Sequence, residues 1–451
     1  MVECVCFIYN SITGNTGNGG FITPVGVRRS MGRFTRESFV IRDKDVLRED
    51  YEPDDLEERG EELDEYAAAL RPVVQGWQPS NVFLYGVTGV GKTAATHVLL
   101  NELLETTGDY DDVELNVIEL NCTGLTSSYQ VAVNLVNEIR SPSHPLTTVQ
   151  SSQQTMSETG YPQKRVFNEL YDDLEEIGGT ILVILDEIDN IGSDDDILYE
   201  LPRARSHLDL DVKLGVVGIS NDFKFRDNLS PKVKDTLCEE EVLFPPYDAT
   251  ELQNILRKRA DQALFDDVCT SQVIPLCAAL AAQDSGSARQ ALRLLRKAAD
   301  LAQSESLDAG EQKRITEDHV RDAKRAIERQ QVVDGMHSLT RHGQYVLLVM
   351  CNLTADDKAP ERTKKIHEYY TTLTREFGSD PLKRRRVHDH LSDLTLHGIL
   401  ERVESSSGRG NYNQYELDVS FESALEALEH EFDDLDTLRA KGVRNGLIDP
   451  E

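Results

Sequence analysis

The chain has 451 residues, of which 39% are hydrophobic and 6% aromatic, and its 80 acidic residues outnumber 48 lysines and arginines to give a formal net charge of -32. This length predicts two or three domains that each bury a core. No run of about 18 apolar residues is present, which excludes a transmembrane helix. The seven cysteines form no C-x-x-C pair, which argues against a zinc ribbon or redox motif and favours a reduced, cytoplasmic setting.

The acid excess is spread along the chain rather than confined to one tail. One interpretation is a protein with an acidic partner surface. The other is a halophile's cytoplasm, in which molar salt shortens the Debye length to about 3 Å and acidic side chains keep the surface hydrated. The even distribution of the acids favours the second interpretation.

Residues 1–35 are rich in glycine and asparagine, and their first 21 residues contain no lysine or arginine. They do not resemble a secretory signal. We expect this stretch to be disordered or to be a wrongly assigned start, with Met31 as the true first residue.

Short apolar runs alternate with helical patterns over residues 82–220. "VFLY", "VELNVIELNC", "TILVILDEIDNI" and "VKLGVVGISND" indicate strands, whereas "QVAVNLVNEI" and "RVFNELYDDLEEI" indicate helices. The polar stretch "SPSHPLTTVQSSQQTMSETG" between them indicates a loop. Apolar strands that alternate with helices predict an α/β fold with a parallel sheet covered on both faces.

The strand patterns stop after Pro245-Pro246, and residues 250–330 are helical in pattern. Residues 335–425 then combine three short helical patterns with two strand-like runs around "SSSGRGN". The final stretch, "ALEHEFDDLDTLRAKGV", is acidic and predicts an exposed helix. The chain therefore consists of an α/β region, a helical region and a smaller mixed region.

Gly86 to Thr93 match the motif G-x-x-x-x-G-K-[ST] without a mismatch, between a predicted strand and a predicted helix. Glycines let backbone N–H groups approach phosphate oxygens, and the helix N-terminus adds positive potential. Lys92 would reach the β and γ phosphates, and the Thr93 hydroxyl would ligate Mg²⁺. A glycine-rich turn that binds no phosphate is the competing interpretation, which the strand–turn–helix context disfavours.

Polar residues end two of the later strands. Asp186 closes "ILVILD", at the strand end where ligands bind in open α/β sheets, and would hold Mg²⁺ through water. Glu187 would polarise the attacking water, whereas Asp189 is expected to be structural. Asn221 follows the next strand and could orient that water, although an ordinary turn residue is an equal alternative.

Arg289 stands near the start of a helix in "DSGSARQALRLL", after a Gly-Ser turn. It could reach the γ-phosphate from the helical region. The alternative is an arginine that faces solvent on the helix surface.

A basic cluster interrupts the acidic chain near its C-terminus. Ten lysines and arginines outnumber seven acidic residues between positions 362 and 415. In "DPLKRRRVHDHL", Asp380 is a plausible N-cap and Pro381 fits the first helical position. Four basic residues would then occupy the first turn and a half, where their charge opposes the helix dipole: Lys383, Arg384, Arg385 and Arg386.

The same helix carries a stripe of Val387, Leu391 and Leu394, which predicts one buried face. DNA-reading helices place their N-terminal residues in the major groove. Arg409, between two strands, would be the tip of a winged-helix hairpin and could enter a minor groove. A solvated helix turn and a nuclear localisation signal are the alternatives.

These motifs, in this order, resemble the two Walker motifs, sensor one and sensor two of AAA+ ATPases. "DVLREDYEPDDLEERGEELDEYAAALRP", "LNCTGLTSSYQV", "LFPPYDATELQNILRKRA" and "HDHLSDLTLHGIL…GRGNYNQYEL" are similar to stretches of the archaeal replication initiators related to origin recognition complex subunit one and cell division control protein six. The resemblance covers about residues 36–420 and, with the acid excess, indicates a haloarchaeal member.

The resemblance implies an AAA+ base over residues 36–245, a helical lid over 246–332, a winged helix over 333–425 and an acidic helical tail over 426–451. It implies that Glu187, Asn221 and Arg289 serve hydrolysis, and that Thr93 and Asp186 serve the metal. The residues expected on ATP or ADP are Gly89, Val90, Gly91, Lys92, Thr93 and Ala94, with Tyr247, Arg259 and Arg59 around the base.

The implied function is that of an initiator that binds double-stranded origin DNA, uses slow ATP hydrolysis as a switch and recruits a replicative helicase of the minichromosome maintenance type. Partners would include paralogous initiators but no membrane, and the protein would be cytoplasmic and nucleoid-associated. The alternatives are a clamp-loader-like or transposition-type AAA+ ATPase and an ATP-binding transcription regulator.

The sequence departs from the family pattern after sensor one, where a trans-acting arginine is expected. Lys232-Val233-Lys234 stands there, and lysine lacks the planar fork with which arginine binds phosphate. Arg203 and Arg205 are the alternatives, so no arginine finger is assigned.

Overall fold

The computed structural model describes residues 38–448, apart from residues 54, 193, 205–211, 238–239, 406–411, 430–431 and 433–434. Residues 1–35, expected to be disordered or wrongly assigned, lie outside the described residues, as does Arg409. Within the described part, no helix combines the length and the apolar character that crossing a membrane requires.

A parallel five-stranded sheet forms the centre of the α/β region. Its strands are β1 (Val82–Tyr85), β2 (Leu115–Asn121), β3 (Thr180–Asp186), β4 (Lys213–Ser220) and β5 (Glu240–Leu243). Their order is β2-β3-β4-β1-β5, and all neighbours pair in parallel. This confirms the predicted α/β fold. Strand β5 has no apolar run that would predict it, because among its four residues only Val242 is buried.

Helices cover both faces of this sheet: α1 (Gly60–Val74), α2 (Lys92–Gly108), α3 (Ser128–Arg140), α4 (Gln163–Ile177), α5 (Asp196–Arg203), α6 (Phe225–Asn228) and α7 (Pro231–Leu237). Side chains of β3 alternate between the faces, as period-two geometry requires. Leu182 and Ile184 pack in the hydrophobic cluster that includes α1 and α2. Ile181, Val183 and Leu185 pack in a second cluster with α3 and α4.

Four helices follow the sheet: α8 (Ala249–Ala263), α9 (Val273–Asp284), α10 (Ala288–Ala309) and α11 (Glu317–Ser338). A capping box starts α8, in which the Asp248 carboxylate accepts from the Glu251 amide and Glu251 reaches back to the Asp248 amide. Leu256 of α8 and Leu295 of α10 belong to the same buried cluster as Leu84 of β1. The helical lid is therefore packed continuously against one side of the α/β region.

The C-terminal region contains α12 (Arg341–Ala355), α13 (Thr363–Glu376) and α14 (Arg384–Leu396), together with β6 (Glu361–Arg362), β7 (Leu400–Ser405) and β8 (Tyr412–Leu417). The strands form an antiparallel sheet in the order β6-β8-β7. Val387, Leu391 and Leu394 of α14 are fully buried, as their spacing predicts. The winged-helix prediction is thus confirmed, while the numbered domain boundaries stay predictions.

The predicted N-terminus of α14 is wrong. The helix begins at Arg384 with Lys383 in the N-cap position and no side-chain cap, so Asp380 does not cap it and Pro381 is not its first residue. Lys383 is extended, with ψ of 150°. Three arginines therefore occupy the first turn, and the lysine precedes them.

The prediction of an exposed C-terminal helix is also wrong. The stretch, residues 427–443, contains the last three residues of α15 (Phe421–Glu429) and most of α16 (Asp436–Arg444), and several of its side chains are buried in the winged-helix core. Leu428 is fully buried and Phe432 is 5% exposed. The high acid content hid an apolar stripe that includes Leu425 and Leu428 of α15 and continues to Leu438 of α16.

We expect Leu428→Ala to lower the free energy of unfolding of this region by about 2–5 kcal/mol, because it leaves a cavity in a packed core. Leu396→Ala is the matched control, since Leu396 is 85% exposed and its truncation should change stability by less than about 0.5 kcal/mol. Denaturant titrations followed by circular dichroism measure both. Equal effects of the two variants would contradict the burial of α15.

Candidate functional site

The glycine-rich loop connects β1 to α2 at the carboxyl edge of the sheet, as predicted. Gly89 and Gly91 have φ angles of +81° and +96°, a conformation that glycine adopts without strain. A Cβ atom on Gly86 would lie 2.4 Å from the carbonyl oxygen of Phe244, and one on Gly89 would lie 2.1 Å from Ser287 Oγ. The loop backbone is therefore packed too closely for side chains at these positions.

The Lys92 ammonium group is buried at the base of this loop, with the residue 4% exposed. Its Nζ donates hydrogen bonds to the carbonyls of Gly86 and Val87 at 2.8 and 3.0 Å, and to Asn221 Oδ1 at 2.9 Å. Burial lowers the pKa of Lys92 to about 8, although nearby carboxylates such as Asp186 oppose this shift. The structure thus brings together the predicted phosphate-binding lysine and the predicted sensor asparagine.

Strand register explains why Asn221 reaches Lys92. Tyr85 of β1 pairs with Ser220 of β4, so the residues that follow the two strands emerge side by side. The backbone N–H of Asn221 donates to Asp189 Oδ1 at 3.0 Å, which fixes the turn after β4. Asp189 consequently has the structural position expected from the sequence.

Hydroxyl and carboxylate oxygens meet beside the lysine. Thr93 Oγ1 donates to Asp186 Oδ2 at 3.0 Å. Burial raises the pKa of Asp186, and the neighbouring charges of Glu187 and Glu119 add to this rise. A buried carboxylate next to a hydroxyl, without a full counter-charge, fits a hard divalent cation such as Mg²⁺, which prefers oxygen ligands.

Glu187 follows Asp186 in the left-handed backbone region, with φ of 54°. Its carboxylate accepts a hydrogen bond from Thr123 Oγ1 at 2.7 Å, and its amide donates to Asp186 Oδ1 at 2.9 Å. The side chain lines the same cavity as Lys92. Thr123 was not identified in the sequence analysis, because a threonine after a polar strand end is a common loop residue.

The lid contributes Arg289, the second residue of α10. Arg289 lines the cavity, and the amide of the preceding Ala288 donates to the carbonyl of Gly89 at 3.0 Å. The N-terminus of α10 is therefore in direct contact with the glycine-rich loop. This places the arginine where it can reach a phosphate bound in the loop.

The cavity has a volume of about 680 Å³, which lies within the range of small-molecule sites. Of the predicted residues, those that line it are Gly89, Gly91, Lys92, Thr93, Ala94, Asp186, Glu187, Asn221, Tyr247, Arg259 and Arg289. Away from the loop, Leu56, Ile255 and Leu292 supply apolar surface, and the Arg259 guanidinium lies 4.3 Å from the centroid of the Tyr51 ring.

Two predicted residues do not line the cavity. Val90 is buried in the core cluster. Arg59, 1% exposed, supports the loop from behind: its Nε donates to the Val90 carbonyl at 3.1 Å and its guanidinium lies 3.6 Å from the centroid of the Tyr247 ring. The role of Arg59 in framing a base pocket stays a prediction. The observed contacts favour a role through Val90 and Tyr247 and not through direct contact with a base.

The segment that precedes α1 also lines the cavity, a feature that sequence spacing did not indicate. Tyr51, Glu52 and Leu56 lie 30 to 35 residues before Gly86, the start of the glycine-rich loop, yet all three face the cavity. His97 of α2 lines it as well. Only tertiary packing brings this segment to the site, so no local pattern could have identified it.

The expected trans-acting arginine is not assigned by the structure. Lys232 forms an ion pair with Asp196 at 2.6 Å, and the Arg203 guanidinium lies over the Tyr199 ring, 4.7 Å from its centroid. Arg205 lies outside the described residues.

A second candidate site lies on the winged helix. The side chains of Lys383 to Arg386 are all exposed, whereas Val387 directly after them is buried. Lys383, Arg384 and Arg385 border a shallow hollow with Thr363 of α13. Arg386 has an acidic neighbour, Asp389, at 3.8 Å. This surface is a concentrated positive patch on a protein that is otherwise strongly acidic.

Comparisons with known proteins match all three regions of the chain. Three family models match: an AAA domain over residues 78–220, the Cdc6 AAA+ ATPase-type lid domain over 253–325 and the CDC6 C-terminal winged helix domain over 334–427. The chain is 50% identical to ORC1-type DNA replication protein 15 of Haloarcula marismortui, over 92% of this chain and 100% of the relative. It is 50% identical to ORC1-type DNA replication protein 10 of Halobacterium salinarum, over 93% and 100%.

Among solved structures, that of the Aeropyrum pernix ORC1 protein in complex with DNA matches with a TM-score of 0.70 and 34% identity, over 90% of this chain and 99% of that chain. The haloarchaeal relatives, the three consecutive domain matches and the full-length coverage all point to one family. The predicted resemblance is confirmed: the chain belongs to the haloarchaeal Orc1/Cdc6 family of ORC1-type proteins, with an AAA+ domain, a lid and a C-terminal winged helix.

Proposed function

We propose that this protein is an ATP-dependent DNA replication initiator that binds double-stranded origin DNA through its winged helix and AAA+ domain. Slow ATP hydrolysis acts as a switch that controls recruitment of a replicative helicase of the minichromosome maintenance type. The observation that carries this proposal is the presence, in one chain, of a nucleotide cavity lined by Lys92, Asn221 and Arg289 and of the exposed basic start of α14. Binding of chromosomal origins would make the protein nucleoid-associated.

The DNA complex of the Aeropyrum pernix relative supports the DNA-binding part of this proposal, and the names of the haloarchaeal relatives support the replication part. Paralogous initiators are proposed as further partners, because several ORC1-type relatives from one organism match this chain. A clamp-loader-like ATPase would not need the positive surface of the winged helix.

The residues of the cavity would have different roles in hydrolysis. Thr93 and Asp186 would hold Mg²⁺, which supplies charge neutralisation on the phosphates when bound. Lys92 and Arg289 provide positive charge from the α/β region and from the lid, on two sides of the phosphate position. Glu187 would accept the proton of the attacking water, and Asn221, whose amide oxygen faces Lys92, would orient that water or the γ-phosphate.

The lid contact explains how turnover could act as a switch. Arg289 stands one residue after Ala288, whose amide is bonded to Gly89. Loss of the γ-phosphate would remove a partner of Arg289 but leave the loop in place. The N-terminus of α10 would therefore be bound to the loop more strongly with ATP than with ADP. This difference would allow hydrolysis to move the lid.

We expect Lys92→Ala to abolish nucleotide binding, because it removes the buried cation that faces the phosphates. Glu187→Gln should keep ATP bound and lower the hydrolysis rate by about 10²–10⁴-fold, which is the usual contribution of a general base. Fluorescent-nucleotide binding and single-turnover hydrolysis measure the two effects.

The control for this pair is Glu175→Gln on the exposed surface of α4, which should change neither quantity. Hydrolysis by Glu187→Gln at the wild-type rate would show that the carboxylate is not the base.

We expect the double variant Arg384→Ala/Arg385→Ala to weaken binding to an origin duplex and to reduce the slope of log K against log salt by up to about 2, since each phosphate contact contributes about 0.9. If either arginine reads a base, discrimination between origin and random duplexes should fall by about 1–3 kcal/mol as well. Fluorescence anisotropy titrations measure affinity and slope.

A charge-matched control is Arg321→Ala/Lys324→Ala on α11, where both side chains already pair with acids on the same helix, Asp318 and Glu328. This control should leave DNA binding near the wild-type value. An equal loss in both double variants would indicate a general charge effect and would contradict a recognition role for α14.

A further prediction concerns salt. Phosphate contacts lose value at molar salt, so base and shape contacts have to carry binding in a halophile. We expect origin affinity to decline only modestly between about 1 and 3 M potassium chloride, where the Debye length is about 3 Å or less. Anisotropy titrations across this range test it, and a collapse to the affinity of a random duplex would exclude the idea.

A further inference from the structure

Three metal-ligating side chains from three separate elements meet beside the nucleotide cavity. His97 belongs to α2, Glu119 to β2, and His144 to the loop between α3 and α4. One potential ligand atom from each lies within 4.8 Å of the other two. Glu119 is 2% exposed, and the side chains of His97 and His144 are 11% and 29% exposed. The cluster shares no residue with Thr93 and Asp186, although the charge of Glu119 is near enough to raise the pKa of Asp186.

His97 lies between two carboxylates and cannot donate to both in its neutral form. Its Nδ1 is 3.0 Å from Glu52 Oε1, and its Nε2 is 3.0 Å from Glu119 Oε1. A neutral imidazole carries one N–H group. If Nδ1 donates to Glu52, the lone pair of Nε2 faces the carboxylate of Glu119 at 3.0 Å, and either a proton on Nε2 or a metal ion would have to join them.

The second carboxylate oxygen of Glu119, Oε2, lies beside His144 and also lacks a donor within the described part of the chain. His144 Nδ1 is 3.0 Å from Glu119 Oε2, but among the described residues this buried oxygen has no hydrogen-bond donor. The amide of Leu146 donates a long hydrogen bond of 3.4 Å to the same Nδ1. A nitrogen that accepts a hydrogen bond carries no proton for Glu119, and an ion bound to this nitrogen would replace the long contact with Leu146. A buried carboxylate oxygen without a partner is unfavourable, because nothing replaces the hydrogen bonds that it makes to water in the unfolded chain. Both oxygens of Glu119 therefore face imidazole nitrogens, and among the described residues Oε2 has no donor at all.

The loop that carries His144 is held firmly against β2. The Glu138 carboxylate accepts from the amides of Ser143 and His144, each at 2.9 Å. The amide of Thr148 donates to the Val117 carbonyl at 3.0 Å. The imidazole is thus positioned by its own loop and not by its contact with Glu119, as expected for a ligand that is oriented before it binds an ion.

We propose that His97, Glu119 and His144 bind one divalent transition-metal ion of the zinc class. Two imidazole nitrogens with one carboxylate suit zinc, whereas Mg²⁺ prefers oxygen ligands alone. Glu52 fixes the tautomer of His97 by accepting from Nδ1, which is the arrangement common around metal-bound histidines. A fourth position would be open to a water molecule, because His97 lines the cavity.

The ion would connect segments that are far apart in the sequence. Glu52 belongs to the segment that precedes α1, and His97 is four residues after Thr93. The metal site would stabilise this segment next to the nucleotide and attach the loop of His144 to it. None of its residues lies in the winged helix, so the proposal does not depend on the basic surface of α14.

The test uses the full chain stripped of metal with a chelator and titrated with Co²⁺. We expect the visible absorption bands of four-coordinate cobalt at one equivalent, loss of these bands on addition of Zn²⁺, and no loss with an excess of Mg²⁺. His144→Asn keeps an amide group that can donate to Glu119 but removes the imidazole, and should weaken binding by about 100-fold or more.

Glu119→Gln should abolish the cobalt bands, and Glu52→Gln, which keeps all three ligands, should weaken binding about 10- to 100-fold. His388→Asn on the exposed start of α14 is the control and should bind cobalt like the wild type. Circular dichroism of each variant reports that the fold is intact.

The proposal fails if the wild type takes up no cobalt, which would mean that a proton on His97 provides the positive charge. A protonated His97 is the competing explanation. Burial opposes the charged form of its imidazole, but the carboxylates of Glu119 and Glu52 outweigh the effect of burial and raise the pKa of His97. The proposal also fails if His144→Asn and Glu119→Gln bind cobalt as the wild type does, because the ion would then lie elsewhere on the chain.

Discussion

The nucleotide site depends on the position of one buried cation, the ammonium group of Lys92. Its Nζ is bonded to carbonyls of the glycine-rich loop and to Asn221, so it joins the end of β1 to the end of β4. The parallel register that pairs Tyr85 with Ser220 makes this contact possible. A buried charge is stable only where oxygen atoms surround it. Loop, lysine and sensor residue therefore form one unit that positions the other groups of the cavity.

Much of the site could be predicted from sequence because its residues follow strand ends. Asp186, Glu187 and Asn221 each come directly after an apolar run, and the carboxyl ends of parallel strands meet at one edge of a sheet. Arg59 shows the limit of this reasoning. The sequence suggests that it frames a base pocket, but the guanidinium is 1% exposed and is bonded to the carbonyls of Val90 and Pro245.

What the sequence did not indicate depends on contacts between distant segments. Tyr51 and Glu52 reach the cavity only because the chain before α1 packs against the lid, and the pairing of His97, Glu119 and His144 requires the register of α2, β2 and a loop. The C-terminal helices were misjudged for a different reason. Acidic residues dominate their composition, yet burial is decided by the spacing of residues such as Leu425 and Leu428, and not by average polarity.

The charge at the start of α14 cannot be explained by the stability of the helix. Basic side chains near a helix N-terminus are unfavourable by about 0.3–1 kcal/mol each, and Arg384 to Arg386 all lie in the first turn. No side-chain cap offsets this cost. Burial of Val387, Leu391 and Leu394, worth about 1.5–3 kcal/mol each, is large enough to hold the helix in place despite it. The fold therefore tolerates a local charge that it does not need, on a chain whose net charge is -32. A polyanion that contacts this surface is the partner for which such a charge is favourable.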